Sequence, residues 1–190
     1  MLRLLLVFLL FFSLRLAAAE QELVTVPVAD PYAYVSLSNY RLAPGDMISV
    51  RVLGEEELSR EKVRLTDAGT VPLPAVGEIQ VLGLKIKDVE RVVADSLRGR
   101  YLVNPKVSVI IEEYRPFYVN GMVAKPGAYP YQPGMTVRKA ASLAGGFTER
   151  ASLDKVFVIR EASGSKAPIK ISVDTEVLPG DIVTIEESFF

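Results

Sequence analysis

A short phrase that occurs twice constrains this chain more than any other feature. Its first copy is Leu42-Ala43-Pro44-Gly45-Asp46, followed by Met47-Ile48-Ser49-Val50. Its second is Leu178-Pro179-Gly180-Asp181, followed by Ile182-Val183-Thr184-Ile185, with one residue fewer between Leu and Pro. Proline presets φ at the first central position of a turn, and glycine supplies positive φ at the second. The aspartate carboxylate can accept hydrogen bonds from nearby backbone N–H groups and so fix the turn. An alternating strand leaves each copy. One copy therefore launches a strand near the start of the folded region, and the other launches the last strand.

What precedes the first copy is of a different kind. Arg3 stands before an apolar run from Leu4 to Leu14, and Ala17-Ala18-Ala19 follows as a small-residue cleavage pattern. This reads as a secretory signal peptide over residues 1–19, with an uncleaved anchor as the alternative because Arg15 interrupts the pattern. The run falls short of the roughly 20 apolar residues of a transmembrane helix. Removing 19 of 190 residues leaves 171, enough for one domain or two small ones. The remainder holds 20 of the 22 basic residues and all 23 acids, a net charge of −3. That balance does not point to a nucleic-acid partner. The chain has no Cys and no His, so disulfides, thiol nucleophiles, Ser-His-Asp triads and typical zinc sites are excluded.

Residues 20–39 form an N-terminal arm without clear periodicity, carrying Tyr32 and Tyr34 just ahead of Tyr40. These tyrosines suit an extended arm lying on the domain, or a surface for a partner or glycan. Ile48, Val50 and Val52 then alternate with polar neighbours, which predicts a half-buried strand. Glu55-Glu56-Glu57 mark a charged loop. Val63 and Leu65 predict a second strand, and Asp67-Ala68-Gly69 turns it back into Val71 and Leu73. Pro72 and Pro74 make that next strand an edge or an interrupted one. Val76 to Val81 is another short strand. Ile86, Val89, Val92, Val93 and Leu97 fall at helical spacing, with Gly99 as the stop. Val107, Val109 and Ile111 predict a further strand, and Glu113 to Pro116 reads as a boundary.

Beyond the boundary, Phe117, Val119, Gly121 and Val123 share one face of a continuous strand, with Gly121 marking a bulge or a close backbone approach. A hairpin turn at Asn120-Gly121 is the alternative, but Lys125-Pro126-Gly127 makes a better turn. Thr136 caps a helix whose stripe is Val137, Ala140, Ala141 and Ala144, stopped by Gly145-Gly146. That Gly pair is too short to cradle a phosphate. Strands follow at Val156 to Ile159 and Ile169 to Val173, separated by a polar loop around Ser163-Gly164-Ser165. The fold class is α+β: two small domains, residues 40–113 and 114–190, each packing one helix on strands.

Three stretches now carry a resemblance. They are Tyr40 to Asp46, Asp67-Ala68-Gly69-Thr70-Val71-Pro72-Leu73-Pro74-Ala75-Val76-Gly77, and Asn104-Pro105-Lys106-Val107-Ser108-Val109. Together they resemble the polysaccharide export domain of the outer-membrane capsule and exopolysaccharide exporters of Gram-negative bacteria. Val119-Asn120-Gly121-Met122-Val123, Lys125-Pro126-Gly127, Ala144-Gly145-Gly146-Phe147, Val158-Ile159-Arg160 and Leu178-Pro179-Gly180-Asp181 resemble the soluble-ligand-binding β-grasp (SLBB) module that accompanies it. The resemblance implies a ring-shaped homo-oligomer that passes polysaccharide across the periplasm and outer membrane. It also implies an inner-membrane polysaccharide co-polymerase as partner. It implies no catalytic residue, cofactor or metal. Pro44, Gly45, Asp46, Asp67, Gly69, Gly121, Pro126, Gly127, Gly145, Gly146, Pro179, Gly180 and Asp181 would then be architectural. The chain departs from larger members in lacking a lipidated Cys, a second β-grasp module and a long C-terminal amphipathic helix. The expectation is a short periplasmic component that uses a separate outer-membrane channel, with Phe189-Phe190 as a docking end or a packed terminus.

Two rival readings come from other classes. One is a periplasmic glycan-binding module that forms no conduit. The other is a glycan hydrolase, which needs two carboxylates facing each other across a bond. Glu55, Glu56, Glu57, Asp67, Glu112 and Glu113 are available, but adjacent acids on a strand point to opposite faces. Asp46→Ala and Asp181→Ala are expected to lower stability by about 0.5–2 kcal/mol, the scale of a lost cap, without removing a chemical step.

Overall fold

A computed structural model of the chain describes residues 37–160 and 166–188. The leader, Tyr32, Tyr34, the Ser163-Gly164-Ser165 segment and Phe189-Phe190 lie outside the described residues.

The first sheet is built on β1 (Met47–Val52), which launches from the first Pro-Gly-Asp turn. It is the middle strand, antiparallel to β2 (Arg60–Arg64) on one side and to β5 (Val107–Glu113) on the other. Ile48, Val50 and Val52 bury one face, as a period-two pattern requires. Helix α1 (Ile86–Leu97) lays Val89, Val93 and Leu97 on that face, one residue per turn and all but fully buried. Asp88 lies in its first turn, where the helix dipole favours an acid, and Gly99 beyond its end has φ +80°. The hairpin of β3 (Thr70–Leu73) and β4 (Gly77–Gln80) adds Val71, Leu73 and Ile79 to the same core. Pro72 sits opposite Glu78 in this two-stranded ladder, the edge setting in which its missing donor is tolerated.

The second sheet has five strands in the order β7-β6-β10-β8-β9: β6 (Phe117–Gly121), β7 (Gly127–Tyr129), β8 (Ala151–Ile159), β9 (Ile169–Ile171) and β10 (Ile182–Glu187). The last strand is central, parallel to β6 and antiparallel to β8. Helix α2 (Val137–Leu143) covers one face with Val137, Ala140 and Ala141. Its N-cap Thr136 accepts a hydrogen bond from the Lys139 N–H at 3.3 Å. Among the described residues, two α-helices and many short strands make the architecture α+β.

One strand departs from the sequence expectation. Phe117 to Val123 is not continuous: β6 stops at Gly121, whose φ of +85° turns the chain out of the ladder. Val123 remains buried but pairs singly with Phe147. Asn120-Gly121 is no two-residue hairpin either. Val119 pairs with Gly127, so the connection spans Asn120 to Pro126.

Candidate functional site

The two Pro-Gly-Asp phrases fold into the same turn. In each, the Asp N–H donates to the carbonyl three residues back, Asp46 to Ala43 at 3.2 Å and Asp181 to Leu178 at 3.1 Å. In each, the Asp Oδ2 accepts the N–H of that same residue, both at 2.9 Å. Gly45 and Gly180 take φ of +92° and +84°, the left-handed region that glycine enters without strain. Each turn then clips onto a neighbouring strand. The Gly45 N–H donates to Leu65 O, and Asp46 O accepts from the Leu65 N–H. The Gly180 N–H donates to Pro116 O, and Asp181 O accepts from the Tyr118 N–H.

Asp46 does more than fix its turn. Its carboxylate is fully buried and accepts the Tyr40 hydroxyl at 2.7–2.8 Å and the Arg115 backbone N–H at 2.8 Å. The Arg115 guanidinium, itself buried, donates from Nη1 to the Tyr40 hydroxyl at 3.0 Å and lies 3.7 Å from Asp46 Oδ2. A charge taken out of water must be paired and hydrogen-bonded, and this set meets both requirements. The guanidinium also lies over the Tyr40 ring, 5.8 Å from its centroid. Three rings continue the contact into the second core: Tyr40 meets Tyr114 edge-on at 5.1 Å, and Tyr114 meets Tyr131 edge-on at 5.3 Å.

The electrostatics follow from burial. The Tyr40 hydroxyl is held far above its usual pKa by desolvation and then by the Asp46 carboxylate, so it stays a donor. Burial, reinforced by Glu176, Tyr114 and Asp181, pushes Tyr131 up to about 12. Asp181 is raised by burial, against the opposing pull of the Leu178 N–H, Arg160 and Arg115. The Arg160 Nε stands 3.8 Å from its Oδ2. Arg115 therefore acts on both repeated aspartates, 3.7 Å from Asp46 Oδ2 and opposing the rise at Asp181.

The other expected positions disperse. Asp67 Oδ1 accepts the Ala68 N–H, and the Gly69 carbonyl receives both the Val81 and Leu82 N–H groups. At Gly121 a Cβ would stand 2.0 Å from the Ile185 carbonyl oxygen, so the two backbones meet there. Lys125-Pro126 leads into β7 at Gly127. Gly145-Gly146 end α2, where the Lys125 N–H reaches Ala144 O and the Ala124 N–H reaches Gly146 O. Among the acids considered for hydrolysis, Glu112 accepts from Ser49 Oγ at 2.6 Å and Glu113 pairs with Arg64 at 3.0 Å. Glu55, Glu56 and Glu57 are exposed around a 3-10 turn. The structure gathers none of these with Asp46. Of the residues that complete the junction, Tyr40 opens the first resemblance stretch, whereas Tyr114, Arg115 and Tyr131 lie outside the expected motifs. A charged residue between Tyr and Pro in a boundary segment is the one signal the sequence offers for them.

Comparison with known proteins agrees with this two-part layout. The family described as polysaccharide biosynthesis/export protein matches residues 35–112. The SLBB domain matches residues 116–170. The exopolysaccharide production protein ExoF of Rhizobium meliloti (strain 1021) is 34% identical over 119 residues. That similarity covers 56% of this chain and 28% of the relative's length. The chain is thus similar to the polysaccharide biosynthesis/export family over its first part and to the SLBB domain over its second, in this order on either side of the Arg115 junction.

Proposed function

We propose that the chain works in the export of a capsular polysaccharide or exopolysaccharide, as a non-enzymatic part of the conduit. The ordered pair of export and SLBB domains carries this reading, and the name of the similar Rhizobium protein points to the same class of polymer. In this reading the leader sends the protein to the periplasm, where copies form a ring associated with the outer membrane. The ring works between an inner-membrane co-polymerase and a separate outer-membrane channel. The junction fits such a role: its buried charges are committed to joining two domains, and a conduit subunit needs shape more than reactive groups.

Deletion of the gene, followed by assay of surface polysaccharide, is the test. Loss of secreted polymer, restored by the wild-type gene, is expected. Normal secretion in a strain without a second copy overturns the proposal. Native mass spectrometry and negative-stain imaging test the ring. A stable monomer at high protein concentration would favour a glycan-binding module instead.

A further inference from the structure

The chain passes between its two hydrophobic cores twice, and one side chain ties the passages together. In the first passage Leu37 packs against the core of the five-stranded sheet, while Tyr40 and Leu42 belong to the core of the three-stranded sheet. In the second, β5 ends at Glu113 and β6 begins at Phe117. Arg115 lies in the second passage and bonds Tyr40 in the first. Its own backbone N–H is held by Asp46. Both passages are pinned to the body of the protein as well. Lys85 Nζ reaches Asn39 Oδ1 at 2.8 Å in the first, and Pro116 O accepts the Gly180 N–H at 3.1 Å in the second.

A hinge is a short segment whose φ and ψ can change at little cost. Neither passage qualifies. Arg115 is held to the first domain by Tyr40 and Asp46 and runs directly into Pro116, which the Gly180 N–H holds to the second, so rotation of one domain would have to break one of these anchors and open the Tyr114–Tyr131 ring contact in the same step. Breaking one bond exposes the partners of the others, so the junction opens as a unit or not at all.

We propose that Arg115, held by Asp46 and Tyr40, is a latch that fixes the export and SLBB domains at one angle. The two domains then move as a single body, and a partner bound at one displaces the other without loss in a hinge. The latch needs nothing from the export reading, since it is a property of the junction itself.

Absence of native cysteine makes the test direct. Spin labels on Lys87→Cys of α1 and Ser142→Cys of α2, both exposed positions, report the interdomain distance in the full chain by double electron–electron resonance. The unmodified junction should give one narrow distance population. Arg115→Ala should broaden it severalfold while circular dichroism keeps the content of both sheets. An unchanged width in the folded variant overturns the latch. Should Arg115→Ala fail to fold, Arg115→Gln, which keeps most of the stem and drops the charge, is read in the same way. Amide exchange in the wild type gives a reading that needs no substitution. The Arg115 N–H should be protected as strongly as the amides of the central strand β10, and fast exchange there overturns the proposal.

Discussion

Asp46 has no water to turn to, so its energetics depend on what Tyr40, Ala43 and Arg115 supply. Removing one partner of a buried ion pair strands the other, which typically costs about 3–5 kcal/mol. Asp46→Ala should therefore destabilise by about that amount, above the capping scale that its turn alone would suggest. Asp181→Ala, which removes the local bond from the Leu178 N–H, should stay near about 0.5–2 kcal/mol. Urea unfolding of the two variants checks the ranking, and equal losses would place Asp46 back among ordinary turn aspartates. Asp181 adds a pH dependence of unusual sign. Burial raises its folded pKa above the unfolded value, so the native state binds more protons between the two. Its contribution to stability is complete below the unfolded value and is lost as pH rises through the folded one. Relative to Asp181→Asn, the wild type should gain stability as pH falls from 7 toward 4, measured by denaturation at each pH.

The same turn works in two different settings at the scale of elements. After Asp46 it clips to Leu65, the residue just beyond β2, through both of that residue's backbone groups, as an antiparallel neighbour requires. After Asp181 it clips to Pro116 and Tyr118, two residues apart, as a parallel neighbour requires. The end of β6 shows what a strand pattern alone misses. Val123 is apolar and buried, so alternation extends the strand through it, but the close approach of Ile185 O to Gly121 forces the turn. Gly121→Ala should cost more than the roughly 1–2 kcal/mol of a left-handed backbone, because the new Cβ also meets that oxygen. A lower midpoint in thermal unfolding checks it, and a neutral result would mean β6 and β10 can separate cheaply. The helices are legible in the sequence because their apolar residues recur at 3.6-residue spacing on one face.

For the whole molecule, two cores built on separate sheets are joined by a polar junction. The boundary at Glu113 to Pro116 is visible in the sequence as a break between two strand patterns. Its chemical content is not. Nothing in the local pattern marks Arg115 as buried, since arginine is rarely buried without a partner. The partner is 69 residues away. Leu37 likewise reads as part of an arm, although it packs on the core of the second sheet. Under the proposed conduit role, copies held at one interdomain angle would repeat it around the ring.

The sequence by itself determined the turns, the strand alternation, the helix stripes and the order of the two family segments. These depend on φ preferences, side-chain period and groups within a few residues of one another. Only the tertiary structure decided which strand each Pro-Gly-Asp turn would join, and whether in parallel or antiparallel sense. It also decided that Asp46 would be desolvated against Arg115. Burial and pairing across long stretches of chain leave no periodic trace, because they arise when two independently patterned surfaces meet.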